Sequence, residues 1–101
     1  MRSMMIMKWE GVTSDQYDTM RKLVKWDANP AKGAVLHVAG FTKSGMRVTD
    51  IWESPEDFNN FVQDRLMPVV KQLGIAGEPK VKLLPVHTIF TPDASLISKS
   101  K

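Results

Sequence analysis

Few side chains in this 101-residue sequence can trade a proton near neutral pH or attack a substrate. There is no cysteine, which excludes thiolate nucleophiles, thiolate metal sites and disulfides. The histidines are His37 and His87, and the single tyrosine is Tyr17. His37 lies in the apolar run LHVAGF, followed by the turn-forming TKSG and then MRVTDIW. A hairpin with Phe41 opposite Met46 sets Ala39 against Val48, His37 against Asp50 and Val35 against Trp52, all on one sheet face. An imidazole and a carboxylate then face each other about 5 Å apart at Cβ. The carboxylate orients the ring and favours its protonated form, while burial favours the neutral form, and the balance decides whether His37 acts as a base. The same pair also makes sense as a structural cross-strand contact that satisfies two polar groups in an apolar sheet. A register slip of one residue would put the two on opposite faces.

The other candidate side chains would line a pocket around that pair. Tyr17 can border it and donate its hydroxyl, although its ring also suits core packing. Trp52 should pack under Phe58 or Phe61, and these three are placed with Tyr17 among the pocket residues. His87 can join the cavity from the last strand or lie at a surface, and Pro85 nearby leaves its face undetermined. Trp9 and Trp26 read as packing residues. The sequence lacks HxH or HxxxH spacing and clustered carboxylates, so no metal site is expected. It also lacks a glycine-rich phosphate loop, a serine elbow and any cofactor motif, so no cofactor is expected.

The elements that would hold these residues follow from periodicity and caps. Residues 4–10 alternate as a strand, with Met5, Met7 and Trp9 on one face. Thr13 and Gln16 form a capping box, Val12 and Tyr17 occupy staple positions, and Tyr17, Met20 and Val24 recur at helical spacing up to about Lys25. Residues 26–33 are rich in turn formers. Residues 34–41 and 46–53 are the hairpin strands, the first apolar on both faces. Ser54 caps a second helix, Pro55 occupies its first position, and Glu56 and Asp57 complement the helix dipole. Phe58, Phe61, Val62, Leu66, Val69 and Leu73 form its apolar stripe, Pro68 should kink it near Met67, and Gly74 should end it. Residues 80–90 read as a last strand that Pro85 confines to an edge or a bulge. Residues 4–91 make one domain, and residues 92–101 a polar tail that is mobile or docks through Leu96 and Ile97.

The order β-α-β-β-α-β implies an α+β, ferredoxin-like fold, with both helices on one face of a four-stranded antiparallel sheet. The strands offer apolar residues to the other face as well: Val35 and Leu36, Val48 and Ile51, Leu83 and Leu84. An uncovered apolar face marks an interface, so a homodimer through the sheet is expected. The run RVTDIWESPEDFNNFVQDRLMPVVKQLG, preceded by LHVAG and followed by PVH, resembles the dimeric α/β-barrel superfamily over residues 5–90. More narrowly, it is similar to a bacterial branch of the antibiotic-biosynthesis-monooxygenase-like domains. That resemblance implies the dimeric barrel. It leaves open a cofactor-independent monooxygenase- or isomerase-like enzyme acting on a small apolar or aromatic molecule, a ligand-binding or regulatory dimer without turnover, and a purely structural dimer. Haem-degrading relatives carry a helical histidine ligand, and residues 54–73 contain none.

Composition sets the remaining bounds. The chain is 43% hydrophobic and 25% charged, as in a globular domain, and its net charge of +3 comes from scattered rather than clustered basic residues. Nucleic-acid binding is therefore not expected. The N-terminal apolar run is too short for a signal peptide and no stretch approaches the ~20 apolar residues of a membrane span, so a cytoplasmic protein without membrane association is expected.

Overall fold

The computed structural model describes residues 1–92. Its elements are β1 (Ser3–Glu10), α1 (Ser14–Val24), β2 (Ala34–Phe41), β3 (Gly45–Trp52), α2 (Pro55–Phe61), a π-helical turn (Val62–Leu66), α3 (Met67–Leu73) and β4 (Lys80–Pro85). The four strands form one antiparallel sheet in the order β2-β3-β1-β4. This is the expected α+β, ferredoxin-like arrangement. Each βαβ unit skips one strand position, so the two units interleave and β1 and β3 occupy the centre.

The caps form as their chemistry dictates. Thr13 accepts from the Gln16 backbone N–H while the Gln16 side chain accepts from the Thr13 N–H, which holds α1 at the end of a three-residue link, residues 11–13. Lys25 closes that helix in the left-handed conformation. Ser54 caps α2 through the Asp57 N–H, with Pro55 at the first position. The irregularity in the second helical segment precedes Pro68 as a π turn over Val62–Leu66. The segment restarts at Met67, so the proline sits in a first turn, where its missing N–H costs little. Gly74, at φ +64°, ends it.

The core lies between the sheet and the helices. Met5, Met7 and Trp9 of β1 alternate inward with Met46, Val48 and Trp52 of β3, and they meet Met20 and Val24 of α1, Phe58 of α2, and Val69 and Val70 of α3. Trp52 and Met5 are wholly buried. The opposite face carries Ile6, Val38 and Leu84 in the open, beside the half-buried Met4 and Leu36.

Two expectations need correction. In β2, Ala34 rather than Val35 pairs with Trp52, because Val35 forms a bulge between Ala34 and Leu36. The last strand stops at Pro85 instead of running to residue 90. Proline cannot extend the ladder, and only the Val86 N–H, bonded to the Arg2 carbonyl, continues the pairing. β4 is an edge strand, as Pro85 requires. Past Pro92, the tail expected from the sequence lies outside the described residues. Among the described residues, no helix is long and apolar enough to cross a membrane.

Candidate functional site

The hairpin of β2 and β3 sets the site. Its register pairs Phe41 with Met46, Ala39 with Val48 and His37 with Asp50. The bulge at Val35 lies beyond His37 toward the start of β2, so it leaves that pairing intact. Asp50 is almost wholly buried, and His37 retains 17% side-chain exposure. A buried carboxylate needs donors, and the hairpin supplies two. His37 Nδ1 lies 2.6 Å from Asp50 Oδ1, and the buried Trp52 Nε1 donates to Asp50 Oδ2 at 3.0 Å. Residues 50 and 52 alternate onto the same side of β3, which is why the indole reaches the carboxylate.

Helix α1 completes the arrangement from above. The Tyr17 ring lies nearly parallel to the imidazole, with 5.9 Å between ring centroids, and its Oη lies 2.6 Å from His37 Nε2. One turn further on, Arg21 directs Nη1 to the Tyr17 Oη at 3.5 Å. The other edge of that guanidinium is held by Asp27, with Nη2 donating to Oδ1 at 2.6 Å. The Arg21 fork holds the Asp27 carboxyl below its ordinary value, and Asp27 in turn raises Arg21. Burial pushes the Tyr17 phenol above its ordinary value, and the Arg21 charge partly offsets this.

In the neutral ring, Nδ1 carries the proton because it faces a carboxylate, and Nε2 then accepts from Tyr17. The hydrogen bonds therefore run in one direction, from Arg21 through Tyr17 and His37 to Asp50, with Trp52 fixing the far end.

This polar chain forms one end of a half-open pocket of about 70 Å³. Its walls are apolar: Met5, Met20, Val24, Trp26, Phe58 and Phe61 among others. Trp26 packs against His37 at 4.8 Å and edge-on to Phe61 at 5.3 Å. Of the residues placed at the pocket from sequence, His37, Asp50, Tyr17, Phe58 and Phe61 line it. Trp52 does not; it lies beneath Phe58 and Phe61 at 5.7 and 5.5 Å, supports those walls from behind, and bonds Asp50. His87 does not line it either. It follows the end of β4 at Pro85 and is exposed. Arg21 and Trp26 were not assigned to the site from sequence. The signal for Arg21 was its spacing of four residues from Tyr17 on one helix face. Trp26 gave none, since its place depends on how the turn after α1 folds back over the sheet. Among the described residues no group of three or more potential ligands is close enough to hold a metal ion.

No protein-family profile matches the chain, and no curated protein matches it. Solved structures do. A candidate antibiotic biosynthesis monooxygenase from Chloroflexus aurantiacus J-10-fl superposes with a TM-score of 0.58 at 18% identity, over 89% of this chain and 98% of that one. A protein of unknown function from Nitrosomonas europaea gives 0.60 at 11% identity, over 92% and 95%. A candidate antibiotic biosynthesis monooxygenase from Deinococcus radiodurans gives 0.55 at 12% identity, over 90% and 97%. At these identities the likeness is one of fold. It shows a fold shared with these proteins and carries no residue roles with it.

Proposed function

We propose that this chain is an acid–base enzyme that removes a proton from a compact, weakly acidic molecule, with His37 and Asp50 as the proton-accepting pair. One observation carries the reading: a partly buried chain of hydrogen bonds linking Tyr17, His37, Asp50 and Trp52 adjoins an otherwise apolar pocket. A cross-strand contact serving only the sheet needs no third member from a helix and no adjoining cavity. The volume bears on the substrate. A dry apolar cavity that takes up benzene measures about 150 Å³, twice the space here. The part of the substrate that enters is therefore smaller than an aromatic ring, unless Trp26 and Phe61 move apart. An electron-rich anion formed in such a site can itself reduce oxygen, and this is how the reading would extend to the monooxygenase activity named for two of the structural neighbours.

The test is deuterium exchange of nitromethane, acetone and acetylacetone, followed by NMR. The protein should accelerate exchange of at least one, and His37→Gln should remove the acceleration. Acceleration that survives His37→Gln would eliminate the proposal. Saturable binding of these probes without exchange would favour a ligand-binding role instead.

The assembly belongs to the same reading. The sheet face without helices presents Ile6, Val38 and Leu84, and a second copy of the chain would cover it. Light scattering at micromolar concentration should give the mass of a dimer, and Val38→Glu should give that of a monomer. A monomeric wild-type mass would contradict sheet-to-sheet pairing.

A further inference from the structure

We propose that Tyr17 is the group that meets the substrate, relaying the substrate's proton to His37, and that the substrate is a compact carbon or oxygen acid whose anion settles beside Arg21. This rests on the acid–base reading above and adds to it the contacting atom and the charge of the product.

The geometry leaves His37 no free nitrogen. Nδ1 faces Asp50 and Nε2 faces the Tyr17 hydroxyl. A substrate in the pocket cannot reach the imidazole without breaking one of these bonds. The Tyr17 oxygen does have capacity left. It donates one bond to Nε2, accepts a long one from Arg21 Nη1, and keeps a lone pair. Arg21 is equally constrained, because Asp27 occupies Nε and Nη2 and leaves Nη1 as the edge turned toward Tyr17.

The step balances as a double transfer. The substrate X–H bond breaks, its electron pair stays on X, and its proton goes to Tyr17 Oη. The original phenolic proton moves to His37 Nε2. Tyr17 begins and ends neutral, His37 ends as an imidazolium facing the Asp50 carboxylate, and the substrate anion faces the Arg21 guanidinium. Both charges formed in the step thus have a partner already in place. Burial of the phenol disfavours a lasting phenolate, which suits a group that passes a proton on without holding the charge. Asp27 is the remaining charged group in contact with the chain; its carboxylate bonds Nε and Nη2 of Arg21, and Nη1 is the nitrogen directed at Tyr17.

The experiment uses perdeuterated nitromethane as the probe and follows its loss of deuterium to water. Wild type should accelerate the loss. Tyr17→Phe, which removes one oxygen atom, should lower the rate by about 100-fold or more, with its melting temperature close to that of wild type. His37→Gln should fall to the same level. In mixtures of light and heavy water the wild-type rate should curve with deuterium fraction, since more than one proton is in flight. Tyr17→Phe exchanging as fast as wild type, with His37→Gln inactive, would overturn the relay and leave the acid–base reading standing. Absence of any acceleration by wild type would overturn both. If Tyr17→Phe does not fold, the isotope mixtures decide: a curved dependence supports the relay and a linear one overturns it.

Discussion

Replacing Asp50 by asparagine should leave the fold almost untouched and reverse the direction of the hydrogen-bond chain. The reason lies in Trp52. Its indole N–H can only donate, and it is wholly buried against Asp50 Oδ2. An asparagine at position 50 must therefore turn its carbonyl toward Trp52 and its amide toward His37. His37 Nδ1 must then accept, Nε2 must carry the proton, and the Tyr17 oxygen must become an acceptor. Two donors lose out: the Tyr17 hydroxyl hydrogen no longer has Nε2 as its acceptor and must turn toward the pocket, and the second amide hydrogen of the asparagine has no acceptor. The loss comes from exchanging charge-assisted bonds for neutral ones and from these partly buried orphan donors, about 1–3 kcal/mol together. Proton acceptance fails, because Nε2 is already occupied. A tautomer reversed in this way lowers turnover by about 10⁴-fold in serine proteases, or ~5.5 kcal/mol on a barrier. Asp50→Ala separates the two effects. It leaves the Trp52 N–H without an acceptor and opens a small void, for a destabilisation of about 2–4 kcal/mol. Urea unfolding gives both stabilities, ¹⁵N NMR of His37 reports which nitrogen is protonated, and the nitromethane assay reports exchange. The reasoning is refuted if Asp50→Asn keeps the proton on Nδ1, or if its exchange rate stays within about tenfold of wild type.

Tyr17 has its phenol raised above the ordinary value of 10.0 by burial. The folded state therefore binds that proton more tightly than the unfolded chain. Stability from this group is fully present below pH 10.0 and falls as pH climbs toward the higher folded value, and urea titrations of Tyr17→Phe should show a shallower decline. Gly33, at φ +83°, would place an added Cβ 2.6 Å from the Asp57 Cβ, so Gly33→Ala should cost about 2–4 kcal/mol from backbone strain and overlap together. Gly11, at φ +85° with no atom near the added carbon, provides the control: Gly11→Ala should cost only the strain, about 1–2 kcal/mol by urea melt. Trp52→Phe removes one of the two donors to a buried carboxylate, and should destabilise by about 1–3 kcal/mol in urea melts.

The order of elements was legible because each boundary carries its own chemistry. Thr13 with Gln16, Ser54 with Pro55, and Gly74 each mark a helix end through a cap that forms as written. The His37–Asp50 pairing was legible because the loop length and the alternation of two apolar runs permit one register that keeps both runs facing the core. The bulge at Val35 was not, since it lies past the last residue that the turn constrains and its cause is tertiary. The π turn was also hidden, because Phe58, Phe61, Val62 and Leu66 fit an unbroken helical stripe equally well. At the site, residues on the hairpin could be placed by counting. Tyr17, Arg21 and Trp26 reach it from α1 and the turn that follows, and their alignment over the hairpin depends on how that helix crosses the sheet. That crossing depends on tertiary packing of Met20 and Val24 in the core they share with Met5, Met46 and Val48, which local spacing does not encode.

The protonation of His37 in the resting wild-type protein tests the central claim most directly. Two-bond ¹⁵N–¹H correlation at a pH where the imidazole is neutral distinguishes its two nitrogens. The expected result is a proton on Nδ1, shared with Asp50, and a bare Nε2 that accepts from the single tyrosine hydroxyl. A ring protonated on Nε2, with Tyr17 acting only as an acceptor, would contradict the relay and the acid–base site built on it.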